Sequence, residues 1–185
     1  AGDLWIQNSA VTDTFTHELG HNYGVSHASF WQTSDGSVVG EGASVEYGDI
    51  YDIMGAGPAD KGHLHPQAKA RLNWLSATDW TDVSASGICR LYRIDHQQTQ
   101  GTPRGLRLTK ATTPGAEEYY WIAYRPSFTD NPHLTRGAYI VWQRPGQNRC
   151  WLLDMTPESA DGKLDAALDP GRTYSDTGAQ IHVTP

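Results

Sequence analysis

The chain has 185 residues, a formal net charge of −7 at pH 7 and a sequence pI near 5.5. Basic faces bind nucleic acids and anionic membrane surfaces, so this acidic balance argues against both as partners. No run of the sequence approaches the roughly 20 apolar residues of a membrane-spanning helix, whereas a hydrophobic content of 38% is enough for a folded core.

The first predicted element is a helix over about residues 10–23. Apolar residues recur there at every fourth position and form one stripe, at Val11, Phe15 and Leu19. Asn8 or Ser9 is expected to cap the start of this helix, and Gly24 is placed to end it in a left-handed conformation.

A second helix is predicted over residues 65–75, "HPQAKARLNWL". Pro66 suits the first helical position, because the N–H that proline lacks would have no helical partner there. The residues that fall on one side of this helix are Ala68, Leu72 and Leu75. A long glycine-rich segment, residues 25–63, joins the two helices. A loop of that length in a compact domain is usually functional or braced by a metal.

From about residue 79 the sequence is typical of β structure. Short runs such as "GLRLTKA", "YYWIAYR" and "AYIVWQ" are rich in Ile, Val, Tyr and Trp. The sequence thus predicts an α+β chain in two parts, a helical part over residues 1–78 and an antiparallel β sandwich or small barrel over residues 79–185. Three tryptophans are expected in its core and not on a binding platform: Trp121, Trp142 and Trp151.

The two cysteines, Cys89 and Cys150, are predicted to form one disulfide. A disulfide would place the protein outside the cytosol, where thiols are not kept reduced. The alternative is a pair of buried free thiols. Neither cysteine has another Cys or a His nearby at ligand spacing, which argues against a cysteine-based zinc site.

The clearest chemical pattern is "HELGHNYGVSH", residues 17–27. Residues four apart share one face of a helix, so His17 and His21 are expected to present ring nitrogens to a single ion. Gly24 lets the backbone leave the helix sharply, which allows His27 to fold back and supply a third nitrogen. Three imidazoles with an open fourth position are how proteins hold catalytic zinc, so the pattern predicts one Zn²⁺ per chain.

The same pattern predicts a hydrolytic role for Glu18, which lies beside the histidine face of the helix. Zinc lowers the pKa of a bound water to about 7 and also polarises a substrate carbonyl. Glu18 is placed to accept the proton of that water and later to pass it to the leaving amine of a peptide.

The motif resembles the H-E-x-x-H-x-x-G-x-x-H pattern of metzincin zinc proteases. The segment "YGDIYDIMG" follows it, with Met54 27 residues after His27. Residues 15–57 look most like gametolysin-type metzincins and their bacterial relatives. The resemblance implies a metzincin C-terminal catalytic subdomain in a secreted endopeptidase that cuts extracellular proteins, with Glu18 as general base and Met54 as the Met-turn residue. The zinc ligands that it implies are His17, His21 and His27.

Three residues of the turn keep alternative roles. Tyr51 either donates a hydrogen bond to an oxyanion or to the zinc water, or it is a packing residue. Asp52, like Asp49, either accepts a hydrogen bond from a ligand histidine or stabilises the turn.

Two other groups are weaker metal candidates. His63 and His65 form an incomplete set and are expected at the surface. An acidic stretch holds five carboxylates, at Asp154, Glu158, Asp161, Asp165 and Asp169. Oxygen ligands of this kind suit Ca²⁺, but the stretch lacks the spacing of an EF-hand, so a solvated loop is favoured over calcium.

Metzincins resemble one another in having a sheet-bearing subdomain before the zinc helix. Only 16 residues precede His17 here, so the resemblance implies the C-terminal portion of a larger protease. The expected partners are a protein or peptide substrate and a missing N-terminal subdomain or chain. The alternative function is a non-catalytic, zinc-stabilised fragment whose β-rich region serves binding or assembly.

Overall fold

A computed structural model describes residues 11–58, 60–95 and 101–185, and these form an α+β fold that is mostly sheet. The predicted caps Asn8 and Ser9 lie outside the described residues. The helices are α1 (Thr12–Asn22), α2 (Pro66–Arg71) and α3 (Pro132–Arg136), and a 3₁₀ turn spans Gly162–Asp165. The strands are β1 (Ser29–Thr33), β2 (Gly42–Val45), β3 (Trp80–Val83), β4 (Gly105–Thr113), β5 (Ala116–Ala123), β6 (Tyr139–Gln143), β7 (Cys150–Leu152), β8 (Tyr174–Asp176) and β9 (Ile181–Val183). Within the described part of the chain, no helix is both long and apolar enough to span a membrane.

Seven of the strands form one open, mixed sheet in the order β2-β1-β7-β6-β5-β4-β3. The pairs β1–β7 and β3–β4 are parallel, and the other neighbours are antiparallel. Strands β8 and β9 pair separately as an antiparallel ribbon. This sheet differs from the predicted antiparallel sandwich or small barrel. Residue alternation within a strand shows which faces are buried, but it does not show which strand will be the neighbour.

Both faces of the sheet are covered, which explains the nearly continuous apolar runs of its central strands. On β5, Tyr120 and Ile122 belong to one core cluster, and Trp121 and Ala123 belong to the other. The prediction of core tryptophans is confirmed, since all three are buried: Trp121, Trp142 and Trp151.

The sheet draws on both predicted parts of the chain. Strands β1 and β2 precede residue 79, and the other five strands follow it. The two parts meet where Ser29 pairs with Trp151 and Phe30 pairs with Leu152 in parallel register. The division into two domains stays a prediction, but this pairing fixes the segment after His27 directly against β7.

The predicted apolar stripe of α1 is half open to solvent. No residue of α1 is buried; Phe15 is 48% exposed, and Val11, just before the helix, is 51% exposed. The helix therefore forms over nearly the predicted residues without packing its apolar side into either core of the sheet.

The second helix begins at Pro66, as predicted, but ends at Arg71. His65 Nδ1 accepts a hydrogen bond from the backbone N–H of Ala68 at 3.1 Å and so caps the helix. The expectation of two surface histidines is wrong, because His65 is buried and His63 is half-buried. Burial lowers the pKa of His65 to about 4 and that of His63 to about 3.

The predicted disulfide is not formed, and both cysteines are free. Cys150 begins β7 with its side chain buried in a core of the sheet, whereas Cys89 lies exposed outside every strand. The number of cysteines did not show that one would be buried in the sheet and the other exposed. Burial raises the pKa of the Cys150 thiol well above its usual value.

Candidate metal centre

Three histidines converge beside the end of α1. His17 and His21 lie one turn apart on this helix, which ends where Gly24 adopts a φ of 80°. The N–H of Gly24 donates to His21 O at 2.8 Å, as is common for a glycine at a helix C-terminus. The turn directs the chain back, so that one ring nitrogen each of His17, His21 and His27 lies within 4.8 Å of the others.

The outer nitrogens of the two helical histidines donate to carbonyl oxygens. His17 Nδ1 bonds to Ile53 O, and His21 Nδ1 bonds to Val25 O, both at 2.9 Å. A carbonyl oxygen can only accept, so both Nδ1 atoms carry a hydrogen, and Nε2 is the nitrogen of each ring that is left to bind a metal. Proteins orient metal-binding histidines with outer hydrogen bonds of this kind.

The inner nitrogens of these two rings are close together. His17 Nε2 and His21 Nε2 are 3.1 Å apart, which is close enough for both nitrogens to bind one cation. A tetrahedral zinc ion with Zn–N bonds of about 2.0–2.1 Å keeps its nitrogens about 3.3 Å apart, and the observed spacing fits this geometry. Over residues 11–58, 60–95 and 101–185, the three histidines are the only group of three or more side chains placed to hold a metal ion.

Two residues that the sequence did not predict contact His27. Glu46 Oε1 accepts a hydrogen bond from His27 Nδ1 at 2.8 Å. The ring of Tyr47 lies against the same imidazole, with 3.9 Å between the ring centroids. Both residues follow β2, whose antiparallel pairing with β1 carries them back to the histidine. No fixed spacing from the motif marks them, so only the strand pairing could have revealed them.

Met54 is fully buried against α1. It belongs to a small apolar cluster with Val25, Ala28, Ile53, Leu64 and Ala68. A methyl group on Gly20 would overlap Met54 Sδ and would lie 3.0 Å from its Cε. Because Gly20, one position before His21, has no side chain, the Met54 thioether packs directly on the helix. The turn before Met54 also holds His17 through Ile53 O.

The side chains of Asp52 and Tyr51 bond to groups other than the rings of the three candidate ligands His17, His21 and His27. Asp52 accepts hydrogen bonds from the backbone N–H groups of Met54, at 2.8 Å, and His65, at 2.5 Å. The hydroxyl of Tyr51 donates to Lys163 O, in the 3₁₀ turn, at 2.7 Å. These bonds give Asp52 a turn-stabilising role and Tyr51 a packing role.

A buried arginine lies beneath this turn. Arg125 is fully buried and donates to Tyr51 O at 2.8 Å. Asp49, also buried, accepts from the N–H of Tyr51 at 2.9 Å and from the hydroxyl of Tyr139. Burial raises the pKa of both Asp49 and Asp52, and Arg125 opposes that rise. The turn thus contains two buried carboxylates, and the charge of Arg125 is close enough to lower the pKa of both.

Glu18 follows His17 on α1 and is half-buried. Consecutive helical residues are rotated by about 100° around the axis, so Glu18 lies beside the ligand face and does not lie on it. This is the position that a base acting next to a metal site needs, as distinct from that of a metal ligand.

The acidic stretch near the C-terminus is bonded within itself. Asp154 accepts from the N–H of Thr156, and Asp165 accepts from Ser159 Oγ, both at 2.9 Å. Both aspartates are buried, so the expectation of a solvated loop is wrong for them. None of the five carboxylates belongs to a group of metal ligands among the described residues, and calcium gains no support.

Comparisons of this chain with protein-family models, with curated proteins and with solved structures give no match. The function of the centre has to be argued from its own residues. The relevant features are three convergent imidazoles, a buried methionine against their helix and a half-buried glutamate beside the first histidine.

Proposed function

We propose that this chain is the metal-bearing part of a secreted zinc endopeptidase of the metzincin type. The observation that carries the proposal is the 3.1 Å approach of His17 Nε2 and His21 Nε2 while both Nδ1 atoms donate to carbonyl oxygens. With His27 as third ligand, the set leaves a fourth position open, as catalytic zinc sites do. A zinc ion bound there polarises a substrate carbonyl and lowers the pKa of water.

Glu18 supplies the proton transfer. As a carboxylate beside the ligand face, it accepts a proton from the attacking water and returns it to the leaving nitrogen. The peptide bond is thereby split into a carboxylate and an amine. A purely structural zinc site has no use for a base at this position, so the presence of Glu18 supports a hydrolase.

The open side of α1 supports a partner for this chain. Around this helix Val11, Phe15 and Tyr23 are between 48% and 60% exposed. Covering apolar surface stabilises an assembly by about 25 cal/mol per Å². We propose that an N-terminal subdomain or a separate chain covers this face and completes the cleft for a protein or peptide substrate. Secretion rests on the metzincin resemblance alone, because the free cysteines do not support it.

The same exposed face favours the alternative function for the chain by itself. Without a cover on α1, zinc would stabilise the fold while the cleft stays incomplete, and the β-rich region would serve binding or assembly. The two functions make the same prediction for zinc binding and opposite predictions for hydrolysis.

Zinc content and hydrolysis of an unfolded protein such as casein, measured on the same samples, test the proposal. Wild type, Glu18→Gln and, as control, Glu41→Gln at an exposed glutamate are compared. We expect about one zinc per chain in all three and a loss of hydrolysis of about 10²-fold or more in Glu18→Gln alone. Bound zinc without hydrolysis in wild type would favour the non-catalytic alternative. The absence of bound zinc would refute both functions.

A further inference from the structure

Tyr47 has an unusual backbone conformation. Its φ is 58°, in the left-handed region that favours glycine. A bulky residue rarely adopts this conformation unless its surroundings impose it, and such strain is concentrated at functional sites. The next residue, Gly48, donates its N–H to Val45 O at 3.1 Å. This bond closes a tight turn directly after β2.

The turn places the Tyr47 ring against two of the three histidines. The ring centroids of Tyr47 and His27 are 3.9 Å apart, with an angle of 38° between the planes. The distance from Tyr47 to His17 is 5.7 Å, with an angle of 30°. Tyr47 is 45% exposed, so its ring covers the histidines from the solvent side.

The neighbouring residue holds His27 from another direction. Glu46 Oε1 accepts from His27 Nδ1 at 2.8 Å, so Nε2 is the nitrogen left for the centre of the cluster. His27 follows a helix end and precedes β1, and it lies on neither element. Besides its contacts with the other two histidine rings, the His27 ring thus receives one hydrogen bond and one aromatic contact from the turn after β2.

From this arrangement we infer that Tyr47 is a positioning residue for His27, which sets the ring angle of the third metal ligand. The inference rests on the proposed zinc site, but it does not depend on hydrolysis. The strained backbone directs the aromatic ring onto the imidazole, and the contact needs the ring and not the hydroxyl.

Four substitutions of Tyr47 separate the ring, the hydroxyl and the backbone strain: Tyr47→Phe, Tyr47→Leu, Tyr47→Ala and Tyr47→Gly. The zinc dissociation constant is measured by competition with a chromophoric chelator, and the visible absorption spectrum of the Co²⁺-loaded protein reports ligand geometry. Ile88→Ala is the control, since it removes another exposed apolar side chain and lies outside every helix and strand.

We expect Tyr47→Phe and Ile88→Ala to bind zinc within about twofold of wild type. Tyr47→Leu, Tyr47→Ala and Tyr47→Gly should each weaken zinc binding by about tenfold and alter the Co²⁺ spectrum, on the scale of contacts that orient metal ligands. Because glycine tolerates a positive φ, the melting temperature of metal-free Tyr47→Gly should exceed that of metal-free Tyr47→Ala.

Wild-type zinc affinity and an unchanged Co²⁺ spectrum in Tyr47→Ala would overturn the inference. A tenfold loss of affinity in Tyr47→Phe would also overturn it, because the hydroxyl would then be the active group. If wild type did not bind zinc, the proposed function would be refuted, and the inference about Tyr47 would be refuted with it. Bound zinc without peptidase activity would leave this test of Tyr47 fully interpretable.

Discussion

The central sheet and the helix that carries two of the histidines differ in how they are held. Successive residues of β5 and β6 are buried on both faces of the sheet, whereas no residue of α1 is buried. Yet the rings on α1 are placed closely enough for two Nε2 atoms to lie 3.1 Å apart. Individual contacts from neighbouring segments provide that placement, among them the bonds to Ile53 O and Val25 O and the packing of Met54 on Gly20.

This difference indicates that fold stability and metal affinity depend on different residues. Buried apolar area stabilises the sheet, and many residues contribute to it. One substitution therefore removes only part of that stabilisation. The metal centre depends on a few directed contacts. The turn around Met54 connects these contacts to the buried network of Arg125, Asp49 and Asp52. Substitutions in that network should therefore affect both properties.

The largest expected effect comes from Arg125→Met. Removal of this cation leaves two buried carboxylates, Asp49 and Asp52, without their positive partner. Breaking a buried charge cluster in this way costs about 3–5 kcal/mol. Urea denaturation of the zinc-free protein would measure the loss. Lys61→Met is the control, since it breaks a surface pair with Asp130 and should cost at most about 1 kcal/mol. Equal losses in the two variants would contradict a special role for the buried network.

Zinc removal should have the next largest effect. At a free zinc concentration 100 times the dissociation constant, binding stabilises the folded state by about 2.7 kcal/mol. Thermal melts with and without a chelator should show this difference in wild type, whereas His21→Ala should melt at the same temperature under both conditions. A chelator effect that persists in His21→Ala would show that the metal binds elsewhere.

Gly20→Ala tests the contact between α1 and Met54. Alanine favours a helix over glycine by about 1 kcal/mol, but the new methyl group would overlap Met54 Sδ. Overpacking of this kind costs about 1–3 kcal/mol, so we expect net destabilisation together with weaker zinc binding. The pair Gly20→Ala and Met54→Ala forms a double-mutant cycle, and the double variant should recover part of the loss. A stabilised Gly20→Ala protein would rule out the tight contact.

The last prediction is a pH dependence of stability, and it concerns Lys69. This buried lysine donates to Ile94 O at 2.6 Å, and burial, with Arg125, lowers its pKa from 10.5 to about 7. Between these values the unfolded chain binds one more proton than the folded chain, so stability should rise with pH. The slope for one proton is about 1.4 kcal/mol per pH unit. Urea denaturation between pH 7.5 and 9.5 measures this slope. We expect the stability of Lys69→Met to rise less steeply with pH than that of wild type, by up to about 1.4 kcal/mol per pH unit. If stability changed with pH in the same way in wild type and Lys69→Met, the Lys69 amine would not be neutral in the folded protein.

Local patterns predicted the parts of the site that are close in sequence. The spacing of His17 and His21, with Gly24 after them, predicted the geometry at the end of α1, because helical periodicity and glycine conformation are local properties. The roles of Asp49 and Asp52 stayed open, because a carboxylate in a turn bonds equally well to a backbone N–H or to a histidine. Their actual partners include the hydroxyl of Tyr139, 90 residues away from Asp49, and the backbone N–H of His65.

Long-range contacts account for what the sequence did not predict. Glu46 and Tyr47 reach His27 only through the pairing of β2 with β1. The mixed sheet depends on the parallel pair of β1 with β7, which residue alternation cannot reveal. The disulfide prediction failed for the same reason, since sequence gives the number of cysteines but not their separation in the fold.

The parallel pairing of β1 with β7 also has a consequence for the order of assembly. Ser29 meets Trp151 only after more than 120 intervening residues have been synthesised, and closing so long a loop is entropically unfavourable before other contacts form. On the ribosome, the histidine motif therefore emerges long before the strand that anchors its following segment. We expect the apo chain to acquire its complete metal-binding geometry late, after β7 has left the exit tunnel. The centre would then mature only after β7 has paired with β1, although its histidines are translated more than 120 residues before β7.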